Sequence, residues 1–120
     1  MYVLFESESE NLRRLAQILF EHLQITYELA NSMKDAAIIL AKDSPDIIVI
    51  NIDEIRLSDG VALRRAYNGE VIGWVHDHRE SRYSEWIQQG VCDKICYWVD
   101  FVSNTACILT IPVKDATVAN

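Results

Sequence analysis

Six residues near the middle of the chain, Ile47-Ile-Val-Ile-Asn-Ile52, form a nearly unbroken apolar and β-branched run. A strand with one wet face alternates apolar with polar side chains, so a strand without that alternation needs cover on both faces. The usual source of such cover is a parallel sheet with helices packed above and below it. The rest of the chain must then supply flanking strands and two layers of helix.

The segments on either side have the right patterns. Tyr2 to Phe5 reads as strand one and breaks at Glu6-Ser7-Glu8-Ser9. Ser7 and Glu10 have the spacing of a capping box, and Leu12, Leu15, Ala16, Leu19 and Leu23 then line one helical face. Ile25 to Leu29 reads as strand two. Ser32 with Asp35 caps a second helix whose stripe is Met33, Ala36, Ala37 and Leu40. Ser44-Pro45 ends it, because the residue before a proline avoids the α region.

Beyond the central strand, a polar loop from Asp53 to Gly60 leads to a short third helix through Val61, Leu63 and Tyr67, closed by Asn68-Gly69. Val71 to Val75 is strand four. The polar segment His76 to Glu80 precedes a helix through Tyr83, Trp86 and Ile87, with Gly90 in the place of a left-handed cap. Strand five runs from about Lys94 to Trp98. Asp100 to Val113 has the apolar content of a fifth helix, although Thr105, Ile108, Thr110, Ile111 and Pro112 are poor helix formers. Five β-α units in alternation imply an α/β domain with a doubly wound parallel sheet in three layers. It spans residues 1–113, with a polar C-terminal tail at 114–120. Chemistry in such a sheet gathers beyond the carboxyl ends of the strands, here around Glu6, Asn51, Val75 and Tyr97.

Charge narrows the choice of partner. With 11 basic and 18 acidic residues the net charge is -7, which opposes contact with nucleic acid phosphates or an anionic membrane. A protein or small-ligand partner fits better. Cys92, Cys96 and Cys107 are odd in number and crowded toward one end, so they read as reduced thiols of a cytoplasmic protein. No run approaches the ~20 apolar residues of a spanning helix.

Four segments in order resemble the receiver domains of bacterial response regulators. Phe5-Glu-Ser-Glu-Ser-Glu-Asn-Leu-Arg-Arg-Leu15 is similar to the point where strand one ends in acids and helix one begins. Pro45-Asp-Ile-Ile-Val-Ile-Asn-Ile52 is similar to the run into the phosphoacceptor strand, and Asp59-Gly60 to the Asp-Gly that follows. Ile87-Gln-Gln-Gly-Val-Cys-Asp-Lys-Ile95 resembles the turn before strand five. The resemblance covers nearly the whole chain and implies a five-stranded sheet in the order 2-1-3-4-5, the flavodoxin-like or CheY-like arrangement.

The family's chemistry moves a phosphoryl group onto an aspartate. It needs a carboxylate nucleophile, two further acids around Mg²⁺, a hydroxyl and a lysine. By the resemblance these positions hold Asn51 for the nucleophile, Glu6 and Ser7 for the acid pair, Val75 for the hydroxyl and Tyr97 for the lysine. Every one is changed. Asp53, two residues on and on the same side, remains an alternative acceptor, because the loop to Asp59-Gly60 is one residue long counted from Asn51 and one short from Asp53. The expectation is therefore a pseudo-receiver, without cofactor or enzymatic activity, that signals by binding proteins. The alternatives are a phosphoacceptor using Asp53 with Glu6, and a ligand or redox sensor built on Asn51, Asp53 and His76 or on the thiols.

Two other groupings bear on function. His76-x-His78 with Cys92 and Cys96 offers zinc-type ligands, but C-x-x-x-C is not a standard zinc spacing, so no metal is expected. Tyr83, Trp86, Tyr97, Trp98 and Phe101 cluster late, with Arg79 and Arg82 nearby. Aromatics and arginines anchor interfaces. In receivers the face of helix four, strand five and helix five is the usual contact surface, so these residues are the expected partner surface and a possible homodimer seam.

Overall fold

A computed structural model describes residues 1–76 and 83–109. In chain order the elements are β1 (Tyr2–Glu6), α1 (Glu10–His22), β2 (Thr26–Ala30), α2 (Met33–Leu40), β3 (Ile47–Asn51), α3 (Leu57–Ala66), β4 (Glu70–Val75), α4 (Tyr83–Gln88), β5 (Lys94–Tyr97), α5 (Trp98–Ser103) and α6 (Thr105–Ile108). The five strands are parallel and lie in the order β2-β1-β3-β4-β5. That is the arrangement the resemblance implies. Among the described residues, no helix is long and apolar enough to cross a membrane.

Every residue of β3 is buried, and the two parities of the strand feed two separate cores. Ile48, Ile50 and Ile52 join Leu4, Val71 and Val75 beneath Ala36, Leu63 and Trp86 of α2, α3 and α4. Ile47 and Val49 join Val3, Phe5, Ile72 and Trp74 beneath Ala16 and Phe20 of α1 and Phe101 of α5. Each such side chain removed from water contributes roughly 1.5–3 kcal/mol. The run tolerates no polar alternation because neither of its faces meets solvent.

Local signals hold in several places and fail in others. Ser32 caps α2 as expected: its Oγ accepts the Asp35 N–H at 3.0 Å, and the Asp35 carboxylate in turn accepts the Asn31 N–H at 3.0 Å. Gly90 has φ +73°, the left-handed conformation its position required. At α1 the cap is Ser9, whose Oγ accepts the Leu12 N–H at 3.3 Å, and not Ser7. Ser7 is buried and turned to other partners. Ala37 is exposed, so the buried stripe of α2 is narrower than its pattern suggests.

Three boundaries also move. α3 begins at Leu57, so Asp59-Gly60 lies inside a helix and not in a loop. β5 ends at Tyr97, and Trp98 opens α5; strand alternation therefore does not govern the directions of those two side chains. The last helical segment is broken at Asn104 (φ −131°, ψ 38°), where the buried Thr105 hydroxyl donates to the Phe101 carbonyl at 2.6 Å. A hydroxyl bonding back to the preceding turn competes with regular helix. The expected stretch from 110 to 113 and the tail at 114–120 lie outside the described residues.

Candidate functional site

Beyond the carboxyl ends of β1, β3 and β4 the loops form one hydrogen-bonded cluster. The Ser7 hydroxyl donates to Glu54 Oε1 at 3.1 Å, and the Glu8 N–H donates to the same oxygen at 3.1 Å. Arg13 Nη1 donates to the Ser7 carbonyl at 2.7 Å. Glu54 and Arg13 were not legible as site residues in the sequence. Neither belongs to a motif, and only the fold brings the Glu54 loop against the end of β1.

Glu6 lies below this closure, fully buried, and neither carboxylate oxygen has a hydrogen-bond partner. Burial pushes its carboxyl up to about 7. The Asn51 main chain opposes the shift without reaching full hydrogen-bond geometry, Glu54 and Glu8 reinforce it, and Arg13 opposes it. The low-dielectric setting favours the neutral acid.

Asn51 is 1% exposed at the last position of β3, and its Oδ1 accepts the Asp53 N–H at 3.1 Å. The Asp53 carboxylate is half-buried and occupied on both oxygens: Oδ2 accepts the His76 N–H at 2.8 Å and Oδ1 accepts the Tyr83 hydroxyl at 2.5 Å. Val75 is fully buried in the apolar core. His76 is exposed, with its ring edge-on to Trp74 at 5.2 Å between centroids. Thus Glu6, Ser7, Asn51, Asp53 and His76 converge on one end of the sheet. Tyr97 instead lines a groove along the edge.

That groove, of about 670 Å³, runs between α4, β5 and the α5–α6 segment. Tyr83 and Ile87 form one wall, Ile95 and Tyr97 the floor, and Asp100 and Ile108 the other wall. Two residues expected on this surface are not there. Trp86 is 4% exposed and Phe101 is fully buried, because each is the side chain its helix turns toward the sheet. Trp98 is half-buried, 4.4 Å from Trp74 and stacked on Phe101. Tyr97 is 37% exposed. Arg79 and Arg82 lie outside the described residues.

The thiols do not make a reactive site. Burial pushes Cys92 up to about 12 and Cys96 up to about 11, so thiolate, the form that binds metal and reacts, is scarce at neutral pH. His78 lies outside the described residues. Among the described residues, no three His, Cys, Asp or Glu side chains are placed to hold a metal ion.

No protein-family model matches the chain, and no curated protein matches it in sequence. Solved structures do match in shape. The receiver domain of a Francisella response regulator is 19% identical over 92% of this chain and 93% of its own, with a TM-score of 0.78. The signal receiver domain of an HD domain-containing protein from Pseudomonas fluorescens Pf-5 is 15% identical over 91% and 90%, with a TM-score of 0.79. A Burkholderia pseudomallei response regulator, solved with a phosphorylated aspartic acid, a calcium ion and citrate, is 14% identical over 93% and 75%, with a TM-score of 0.69.

The chain has the receiver fold. On that fold the resemblance implies a Mg²⁺ held by acids at the end of β1 and by the acceptor aspartate. The residues present do not fit it. The Ser7 hydroxyl is spent on Glu54, the Asn51 oxygen on the Asp53 N–H, and both Asp53 oxygens on β4 and α4. Glu6 alone keeps an unpartnered carboxyl, and it is sealed beneath the closure. The receiver pocket is filled by its own side chains.

Proposed function

We propose that this receiver-fold chain is a non-enzymatic signalling module that binds a protein partner without phosphoryl transfer. The observation that carries this reading is Asn51 at the end of β3, buried and with its side-chain oxygen already bonded. An amide nitrogen shares its lone pair with the carbonyl and does not attack phosphorus as a carboxylate oxygen does. The phosphorylated aspartic acid of the Burkholderia pseudomallei regulator is a property of that protein. Here the acceptor position holds an amide, the hydroxyl position a buried valine and the cation position a tyrosine.

With the pocket inert, contact falls to the groove beside β5, where Ile87 and Tyr97 expose apolar surface next to Asp100. Solvent-accessible aromatic and aliphatic groups flanked by polar ones are what a protein interface uses. The partner is a protein or an output domain, met in the cytoplasm where Cys107 would stay reduced, and a second copy of the chain could occupy the same face.

Incubation with acetyl phosphate and Mg²⁺, followed by intact mass, tests the reading. A phosphodonor-competent receiver attacks the phosphorus with a carboxylate oxygen, releases acetate and gains one phosphoryl group. No gain is expected here. A gain mapped to Asp53 would replace this reading with that of a displaced phosphoacceptor.

A further inference from the structure

α4 is only six residues long, from Tyr83 to Gln88. So short a helix does not hold itself together, because the cost of its first turn is not recovered in the few hydrogen bonds that follow. It depends on its anchors. One is apolar: Trp86 lies over Gly60 of α3, where a Cβ would come 2.5 Å from the indole ring. The other is polar. The Tyr83 hydroxyl donates to Asp53 Oδ1, and the second oxygen of the same carboxylate accepts the N–H of His76, just past β4.

Asp53 is itself held, since its N–H is bonded to Asn51 Oδ1. One side chain therefore joins the end of β3, the end of β4 and the first turn of α4. Tyr83 and Ile87, one helical turn apart, are also the α4 wall of the groove. We propose that Asp53 is a positioning residue: a fixed carboxylate tie that sets α4 against the sheet and with it the shape of the groove. The role requires two acceptors. A carboxylate offers them, whereas an amide at 53 would satisfy one donor and present its own N–H groups to the other. The proposal deepens the protein-binding reading, but it is tested on the free protein, so its failure leaves that reading to be judged by the phosphodonor experiment.

Amide hydrogen exchange in the intact chain provides the test. Asp53→Asn preserves shape and removes one acceptor, and Tyr83→Phe removes only the hydroxyl. Each is expected to accelerate exchange at Ile87 to Gln89 at least about tenfold, with Phe20 of α1 unchanged, since local opening is governed by local anchors. If both act through one link, the double variant exchanges no faster at these amides than Asp53→Asn alone. Unchanged exchange in α4 in both single variants would overturn the proposal. So would equal acceleration in α1, which marks general destabilisation, or additive effects in the double variant.

Discussion

The side-chain oxygen of Asn51 accepts the main-chain N–H of Asp53 at 3.1 Å, across the turn that ends β3. The amide where a receiver would hold its nucleophile thus has a structural task, which is to fix the turn that delivers the Asp53 carboxylate to His76 and Tyr83. Asparagine and aspartate share this capacity to bond their own backbone two residues on.

Asn51→Asp is accordingly expected to fold and yet to remain unmodified by acetyl phosphate and Mg²⁺. The new carboxylate keeps the bond to the Asp53 N–H, but the Ser7 hydroxyl stays with Glu54, Val75 stays apolar and Tyr97 brings no cation. Detection of a phosphoryl group on residue 51 by intact mass and peptide mapping would show that the missing partners are dispensable.

Glu6 makes the fold less stable as pH rises. Its folded value, about 7, is above the ordinary 4.5, so between these two pH values the folded state holds a proton that the unfolded state has released. Below the lower value both states are protonated and no penalty exists. Above the upper value the penalty is complete, on the order of 3 kcal/mol by the conversion of 1.36 kcal/mol per unit. Urea unfolding of Glu6→Gln is expected to lose this slope and to leave the variant more stable than the parent at pH 8. Parallel pH profiles for the two proteins would contradict it.

Gly60→Ala should destabilise the protein by about 1–3 kcal/mol, although alanine ordinarily stabilises a helix interior relative to glycine. The new methyl would lie 2.5 Å from the Trp86 ring and 3.0 Å from Val91 in a filled core. The sign of the change in thermal or urea midpoint is the measurement that matters. A more stable variant would mean that α4 can move away from α3 at no cost.

At the groove, Tyr97→Ala is expected to weaken self-association or binding to a captured partner at least about tenfold, as truncation of an aromatic anchor does. Circular dichroism should be unchanged, since Tyr97 is 37% exposed. Glu10→Ala, in α1, should alter neither. Retention of full affinity by the tyrosine variant would place the interface elsewhere.

Much of the architecture was legible because its signals are local. The two-sided burial of β3 showed as an absence of polar alternation, the start of α2 as Ser32 with Asp35, and the turn before β5 as Gly90. Failures came where two readings had equal local support. Ser7 and Ser9 both precede the first turn of α1, and only Ser9 caps it, because Ser7 is drawn to Glu54, 47 residues away. Trp86 and Phe101 sit on short helices whose aromatic side chains could have faced either solvent or sheet, and both face the sheet.

The sequence by itself determined which segments are strands and helices, their order, and the loss of phosphoryl chemistry at the acceptor position, since these follow from residue type and from spacings within one turn or one strand. Tertiary structure decided what replaced that chemistry. The bonds of Asp53 to His76 and Tyr83 span 23 and 30 residues, and the contact of Gly60 with Trp86 is similarly remote in the chain. Such pairs meet only after the crossovers have stacked helices on the sheet, and no local propensity encodes the distance between side chains carried on different elements.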